Sequence, residues 1–220
     1  MHSPLFLLLP ILSIFPMNVI ASPALLWDQW CINSSNSIFD ETGYAMDPTQ
    51  DGGFILTGSH RIYTSNPYPN VWLVKTDAHG AQEWARTYGG NSTDFGTDVQ
   101  QTADGGYICV GRTFSSGSGL GDILLIKTDQ SGDSTWSHTF GGDSPDYGRS
   151  VQETTDGGFI LIGETYSYGN GESDIWLLKT GTVGQRLGED TDIFTNVPDK
   201  CFDSERCKFT LEWIEDRVKE

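Results

Sequence analysis

The 220-residue chain carries a formal charge of −17, with 26 glycines, 12% aromatic residues and 4 cysteines. Such acidity excludes a sequence-independent grip on nucleic acid or anionic lipid, which needs clustered Lys and Arg. It fits a solvated extracellular surface or cation binding and selects neither, while the aromatics give short, Gly-punctuated segments something to bury.

The first expected element is a leader. Leu5 to Ile20 is an apolar run broken by Pro10 and Pro16, and Val19-Ile20-Ala21 offers small residues to a signal peptidase. Residues 1–21 therefore read as a secretory signal peptide, cut after Ala21 or Ala24, although Met1-His2-Ser3 has no Lys or Arg. The run is too short and too interrupted by proline for a membrane anchor helix. No Cys directly follows the cleavage candidates to carry a lipid. The expectation is a secreted or cell-surface protein with no membrane span in its mature chain.

Residues 28–184 repeat. Asp51-Gly52-Gly53-Phe54-Ile55-Leu56-Thr57-Gly58 returns as Asp104-Gly105-Gly106-Tyr107-Ile108-Cys109-Val110-Gly111. It returns again as Asp156-Gly157-Gly158-Phe159-Ile160-Leu161-Ile162-Gly163. Val71-Trp72-Leu73-Val74-Lys75-Thr76 keeps step with Ile123-Leu124-Leu125-Ile126-Lys127-Thr128 and Ile175-Trp176-Leu177-Leu178-Lys179-Thr180. A third motif runs from Trp84 through Tyr88-Gly89-Gly90 and from Trp136 through Phe140-Gly141-Gly142. Three motifs in register at about 52 residues define three units, at about 28–90, 91–142 and 143–184.

Each unit reads as four short strands, predicted in the second at Thr97–Thr102, Gly106–Thr113, Asp122–Thr128 and Ser134–Phe140. Asp-Gly-Gly supplies the positive φ of a tight hairpin turn. Runs such as Tyr107–Val110 and Ile123–Ile126 are continuously apolar, the pattern of strands buried on both faces of a sandwiched sheet. The fold class expected is all-β: a β-propeller-like array of three four-stranded blades, with a C-terminal helix.

Thr87-Tyr88-Gly89-Gly90-Asn91-Ser92-Thr93-Asp94-Phe95-Gly96, followed by a turn and the strand Tyr107-Ile108-Cys109-Val110-Gly111, resembles the β-propeller repeats of secreted bacterial and archaeal proteins. That family is abbreviated SBBP. Thr139-Phe140-Gly141-Gly142 with Asp146-Tyr147-Gly148 repeats the likeness, which covers residues 28–184. The resemblance implies an exported or cell-surface location and brings no shared catalytic residues. Asp77-Ala78-His79-Gly80 with Trp84, and Asp129-Gln130-Ser131-Gly132 with Trp136, also resemble the Asp-x-x-Gly-x-x-x-Trp element of quinoprotein-type blades. There the Trp docks one blade against the next.

Two departures stand out. Propeller rings close with four to eight blades, and this chain supplies three, so it reads as an incomplete array, an open stack or part of an assembly. The third unit also lacks its last Trp strand, while an unmatched Trp30 lies about one period before Trp84, where a closing strand would come from. Residues 185–220 then read as a polar linker and an amphipathic helix. Asp203-Ser204 would cap it, and Cys207, Leu211, Ile214 and Val218 lie at helical spacing.

Little dedicated chemistry is legible. The chain has no Walker-type loop, no His-Glu-x-x-His and no Gly-x-Ser-x-Gly. His60, His79 and His138 share no close spacing. Gly117-Ser118-Gly119-Leu120-Gly121-Asp122 and Gly169-Asn170-Gly171-Glu172-Ser173-Asp174 place backbone carbonyls ahead of a carboxylate, making Asp122 and Asp174 candidate calcium ligands. The bland alternative is an Asp bonded to nearby backbone amides. Asn33 and Asn91 fit the glycosylation sequon. Cys201 and Cys207 can pair if Cys201 precedes the helix, because six helical residues rise about 9 Å, beyond the roughly 7 Å that a disulfide spans. Cys109, standing where Leu56 and Leu161 stand, reads as a buried apolar residue.

The favoured function is a non-catalytic secreted or cell-surface module for protein or glycan binding, with self-association through blade–blade contacts. A fragment or relative of a quinoprotein-type enzyme, or a calcium-binding structural surface protein, are the alternatives. Trp72, Trp84, Trp136 and Trp176 recur with the repeat, which marks them for packing rather than cofactor stacking. No cofactor is expected other than the calcium that the Asp122 and Asp174 loops would take.

Overall fold

The computed structural model describes residues 39–63, 66–170 and 172–186. The leader, Trp30, Asn33, the Cys201–Cys207 pair and the C-terminal helix of the sequence reading lie outside the described residues.

Eleven strands run in chain order through the described residues. They are β1 (Phe39–Pro48), β2 (Phe54–Ile62), β3 (Asn66–Thr76), β4 (Gln82–Tyr88), β5 (Asp94–Gln101), β6 (Tyr107–Thr113), β7 (Asp122–Thr128), β8 (Ser134–Phe140), β9 (Asp146–Glu153), β10 (Phe159–Thr165) and β11 (Asp174–Thr180). They form three antiparallel sheets in the orders β1-β2-β3-β4, β5-β6-β7-β8 and β11-β10-β9. Among the described residues there is no helix, and so none long and apolar enough to cross a membrane. Of the strands expected in the second unit, β7 and β8 appear with the expected bounds, while β5 ends at Gln101 rather than Thr102 and β6 starts at Tyr107 rather than Gly106. β5 starts at Asp94 rather than Thr97, because Asp94 and Phe95 already pair with Thr113 and Arg112.

Among the described residues the third sheet has three strands where the other two have four, in line with the missing last Trp strand of the third unit. After β11 the chain makes one isolated bridge, Thr180↔Arg186. The same step opens β4 at Thr76↔Gln82 and β8 at Thr128↔Ser134. Two residues further on, where the other units have Trp84 and Trp136, the sequence has Gly188.

The sheets stack in chain order. Strands β6 and β7 are buried along their whole length, because the second sheet is covered on both faces. One core joins the first and second sheets through Ile55, Leu73, Val99, Tyr107, Cys109 and Ile126. The other joins the second and third through Ile108, Val110, Leu125, Phe159, Leu161 and Trp176. Strand β5 packs against β1 on one side and β9 on the other. The Trp of each last strand spans a seam. Trp84 meets Tyr107 edge-on at 5.5 Å and Trp136 meets Phe159 at 5.7 Å, and the Tyr88 hydroxyl donates to the Gly132 carbonyl across the first seam.

The Asp-Gly-Gly turn has two different reasons for its two glycines. Gly105 takes φ 83°, the left-handed region that a side chain resists. Gly106 has no such φ; a Cβ there would lie 2.1 Å from the Thr128 carbonyl oxygen and 2.6 Å from Lys127 Nζ. The positive φ expected of the Asp-Gly-Gly turn is thus supplied by its first glycine. The second is needed so that the buried lysine can reach the turn. Lys127 donates to both Asp104 carboxylate oxygens (3.0 and 2.9 Å) and to the Thr128 carbonyl (2.9 Å). Lys179 repeats this with Asp156 (3.0 and 2.8 Å), and Lys75 with Asp51 (2.7 Å) and Glu83 (2.9 Å).

The outer faces differ. On the third sheet Ile162 and Ile175 are exposed, at 42% and 70%. On the first sheet Trp72 and His60 stack with ring centroids 5.5 Å apart, and both are buried.

Candidate functional site

The connections at one end of the sheets are stitched together across both seams. Phe114 N donates to Thr93 O (2.9 Å) and Ser92 N to Ser115 Oγ (3.0 Å), tying the β6–β7 loop to the β4–β5 connection. Asp146 N donates to Gly121 O (2.8 Å), Ser144 N to Ser167 Oγ (3.1 Å) and Tyr166 N to Pro145 O (3.1 Å). The result is one continuous polar ridge built from successive units.

Two aspartates missed as site candidates by sequence reasoning anchor this ridge. Asp94 and Asp146 open β5 and β9 and are each 0% exposed. Asp94 Oδ2 accepts from Gly90 N (2.9 Å) and Ser115 Oγ (2.7 Å). Asp146 Oδ2 accepts from Gly142 N (3.0 Å) and Ser167 Oγ (2.7 Å). The signal was present in the Gly-Gly-x-Ser-x-Asp spacing, 89–94 and 141–146, read only as a family motif. In both residues the other oxygen, Oδ1, is buried without a hydrogen-bond partner.

Asp122, a sequence candidate, is 1% exposed at the start of β7. Its Oδ2 accepts from Ser118 N (2.5 Å), the backbone role that the bland reading gave it. Its Oδ1 has no hydrogen-bond partner and faces Gly141, where a Cβ would lie 1.9 Å from it and 2.7 Å from Asp146 Oδ2. The structure thus brings Asp122 together with Asp146, not with Asp174. Burial, and then the Asp146 charge, push the Asp122 carboxyl above its ordinary range, against the Ser118 amide and the Arg112 charge. Arg112 itself lies over Phe114 (4.3 Å) and Tyr147 (3.8 Å) and donates to Leu120 O (2.8 Å). Asp174 occupies the matching place on β11 and curls over Gly169. Asn91 is exposed in the β4–β5 connection. Among the described residues no group of three or more His, Cys, Asp or Glu gathers around one point.

The opposite end carries the lysine–aspartate pins. Burial raises the Asp104 carboxyl, but Thr102, Lys127 and the Gly106 amide outweigh it and hold the group at about 2. Asp51 and Asp156 are held well below the carboxylate range, chiefly by Lys75 and Lys179. Burial draws Lys75 down, yet Asp51 and Glu83 outweigh it and its ammonium is raised. A shallow depression here is lined by Asp51, Lys75, Glu83, Trp84, Tyr107 and Ser131, and its three charged side chains are engaged with one another. The histidines remain apart. His60 Nδ1 meets Glu41 at 3.1 Å, and His138 Nε2 meets the Val183 carbonyl at 2.9 Å across the second seam.

Around the ridge the long loops present exposed apolar side chains, repeated by unit. Tyr63 and Tyr68 flank the first, Phe114 and Leu120 lie in the second, and Tyr166 and Tyr168 in the third. No protein-family model and no curated protein matches this chain.

Proposed function

We propose that this chain is an exported, non-catalytic β-propeller-type repeat module whose loop ridge binds a protein or glycan ligand outside the cell. The observation that carries the reading is the unit-by-unit recurrence of exposed aromatics on loops fixed by a rigid sheet scaffold. Binding residues sit on such loops because loops vary without disturbing the strands. Aromatic faces offer large contact area at small entropic cost, and their apolar faces suit the C–H face of a sugar as well as a peptide side chain. The radial arrangement of blades is supported by the period, the meander order within each sheet and the packing of β5 between β1 and β9. The leader-like segment supports export.

The test is a ligand screen of the purified chain against an oligosaccharide array and an extracellular protein panel, followed by titration. Ligands that bind wild type should lose at least about tenfold affinity in a Phe114→Ala/Tyr166→Ala variant. A ligand whose affinity ignores those substitutions would place recognition elsewhere on the molecule.

A further inference from the structure

The buried carboxylate oxygens at the second seam are not explained by the binding reading and do not depend on it. Asp122 comes from the second sheet and Asp146 from the third, 1% and 0% exposed. Each satisfies one oxygen with hydrogen-bond donors from its own loops, Ser118 N for Asp122 and Gly142 N with Ser167 Oγ for Asp146. Each leaves Oδ1 buried and without a hydrogen-bond partner. Two such carboxylates crowded beside Gly141 repel each other, and burial without compensation is costly. Arg112 does not resolve this, since its guanidinium is drawn over Phe114 and Tyr147 and donates to a backbone carbonyl.

The first seam shows the same construction with one charge fewer. Asn70 stands where Asp122 stands, one residue before the apolar run of β3, and Asp94 stands where Asp146 stands. Asn70 Oδ1 and Asp94 Oδ1 are again buried without hydrogen-bond partners, and a Cβ at Gly89 would lie 2.8 Å from Asn70 Oδ1 and 2.2 Å from Asp94 Oδ2. At each seam an oxygen without a hydrogen-bond partner, Asp122 Oδ1 or Asn70 Oδ1, thus stands beside the Oδ2 of a carboxylate from the neighbouring sheet whose own Oδ1 is unpartnered. Such a concentration of buried oxygens is suited to a hard cation, which takes carboxylate, amide and backbone oxygens.

We propose that the seam between the second and third sheets holds one divalent cation of the calcium class, ligated by the Asp122 and Asp146 carboxylates, with water or backbone oxygens completing the shell. The cation acts as a clamp between sheets. Asn70 with Asp94 forms the weaker, singly charged counterpart. Asp174, paired only within its own sheet through Thr165, has no carboxylate from a further sheet opposite it among the described residues and takes no part.

The experiment is calcium titration by calorimetry and thermal melting of the full chain, in millimolar calcium against chelator. The expected result is one calcium per chain and a melting temperature raised by about 5 °C. Asp122→Asn and Asp146→Asn should each lose that shift, while Asp174→Asn keeps it. Asp122→Asn should also melt above wild type in chelator, since it removes the buried repulsion, and below wild type in calcium. Asn70→Asp, which completes the first seam, should raise the stoichiometry to two. Superimposable wild-type melts in calcium and chelator overturn the proposal. So does an Asp122→Asn chain that keeps the calcium shift, or an Asp174→Asn chain that loses it. If Asp146→Asn fails to fold, the Asn70→Asp stoichiometry still decides.

Discussion

Lys127 buries its ammonium 2.9 Å from Asp104 Oδ2 while only 6% of the lysine is exposed. The pair joins β7 to the turn that precedes β6, so the charge is answered at the edge of the same sheet, and the lysine stem fills space between strands. Lys127→Met keeps the stem and removes the donor. It should destabilise the chain by about 1–2 kcal/mol in urea melts at neutral pH, the scale of a buried hydrogen-bonded group. An unchanged midpoint would mean that the pin contributes nothing net.

The same pins set an acid limb. Asp104 titrates at about 2 in the folded chain, and Asp51 and Asp156 are also depressed, against about 3.9 unfolded. Depressed carboxylates bind fewer protons folded than unfolded. Their contribution is thus present above about pH 4 and is lost as pH falls through the folded values. Lys75, raised, contributes with the opposite sign, fully below about pH 10 and decreasingly above it. Chemical denaturation by circular dichroism from neutral pH down to about pH 2 should show stability falling over that interval. A flat profile would contradict it.

Adjacent glycines should respond differently to alanine. Gly105→Ala introduces a Cβ that meets nothing within 4 Å but must accept φ 83°, a cost of about 1 kcal/mol. Gly106→Ala drives a Cβ onto the Thr128 carbonyl and Lys127 Nζ, and should cost at least about 2 kcal/mol. Equal midpoints in parallel urea melts would remove the close-approach argument.

Cys109 is buried, 3.3 Å from Thr57 Oγ1, and burial pushes its thiol up to about 12. The native chain should leave this thiol unmodified by a thiol-specific reagent at neutral pH. Cys109→Leu copies the residue found at 56 and 161 but must still fit beside Gly96, whose Cβ position lies 2.9 Å from Sγ. Overpacking by about 1–3 kcal/mol is expected, and a neutral melt would show that the seam can yield.

Ile162 pairs with Leu177 and Glu164 with Ile175 across β10 and β11, leaving an apolar patch on the third sheet. Apolar area is worth about 25 cal/mol per Å² when covered, so self-association through this face is expected at micromolar concentration. Ile162→Lys/Ile175→Lys should lower the mass seen by light scattering. A wild-type monomer would exclude the contact.

Strands and their order were legible because the apolar runs recur with the period, and Tyr107–Val110 and Ile123–Ile126 are buried on both faces as their composition demands. The start of β5 was less so, since Asp94-Phe95-Gly96 belongs to a Gly-rich motif and only its pairing to β6 shows that it is strand. The purpose of Lys75, Lys127 and Lys179 was hidden for a different reason. Each lysine pairs with a residue across two strands, and register cannot be read from one motif alone. The Asp122–Asp146 juxtaposition was hidden likewise. Sequence reasoning sought several ligands within one loop, whereas the second carboxylate comes from the neighbouring sheet.

Every substantial contact between sheets joins neighbours in chain order, so the molecule resembles a short stack of cards more than a ball. The second sheet is held on both sides and the third, among the described residues, on one. Opening should then start at β11 and travel inward, and amide exchange should be fastest there and slowest in β6 and β7. The lifetime of the whole stack against a protease would be governed by its last card rather than by its best-packed one.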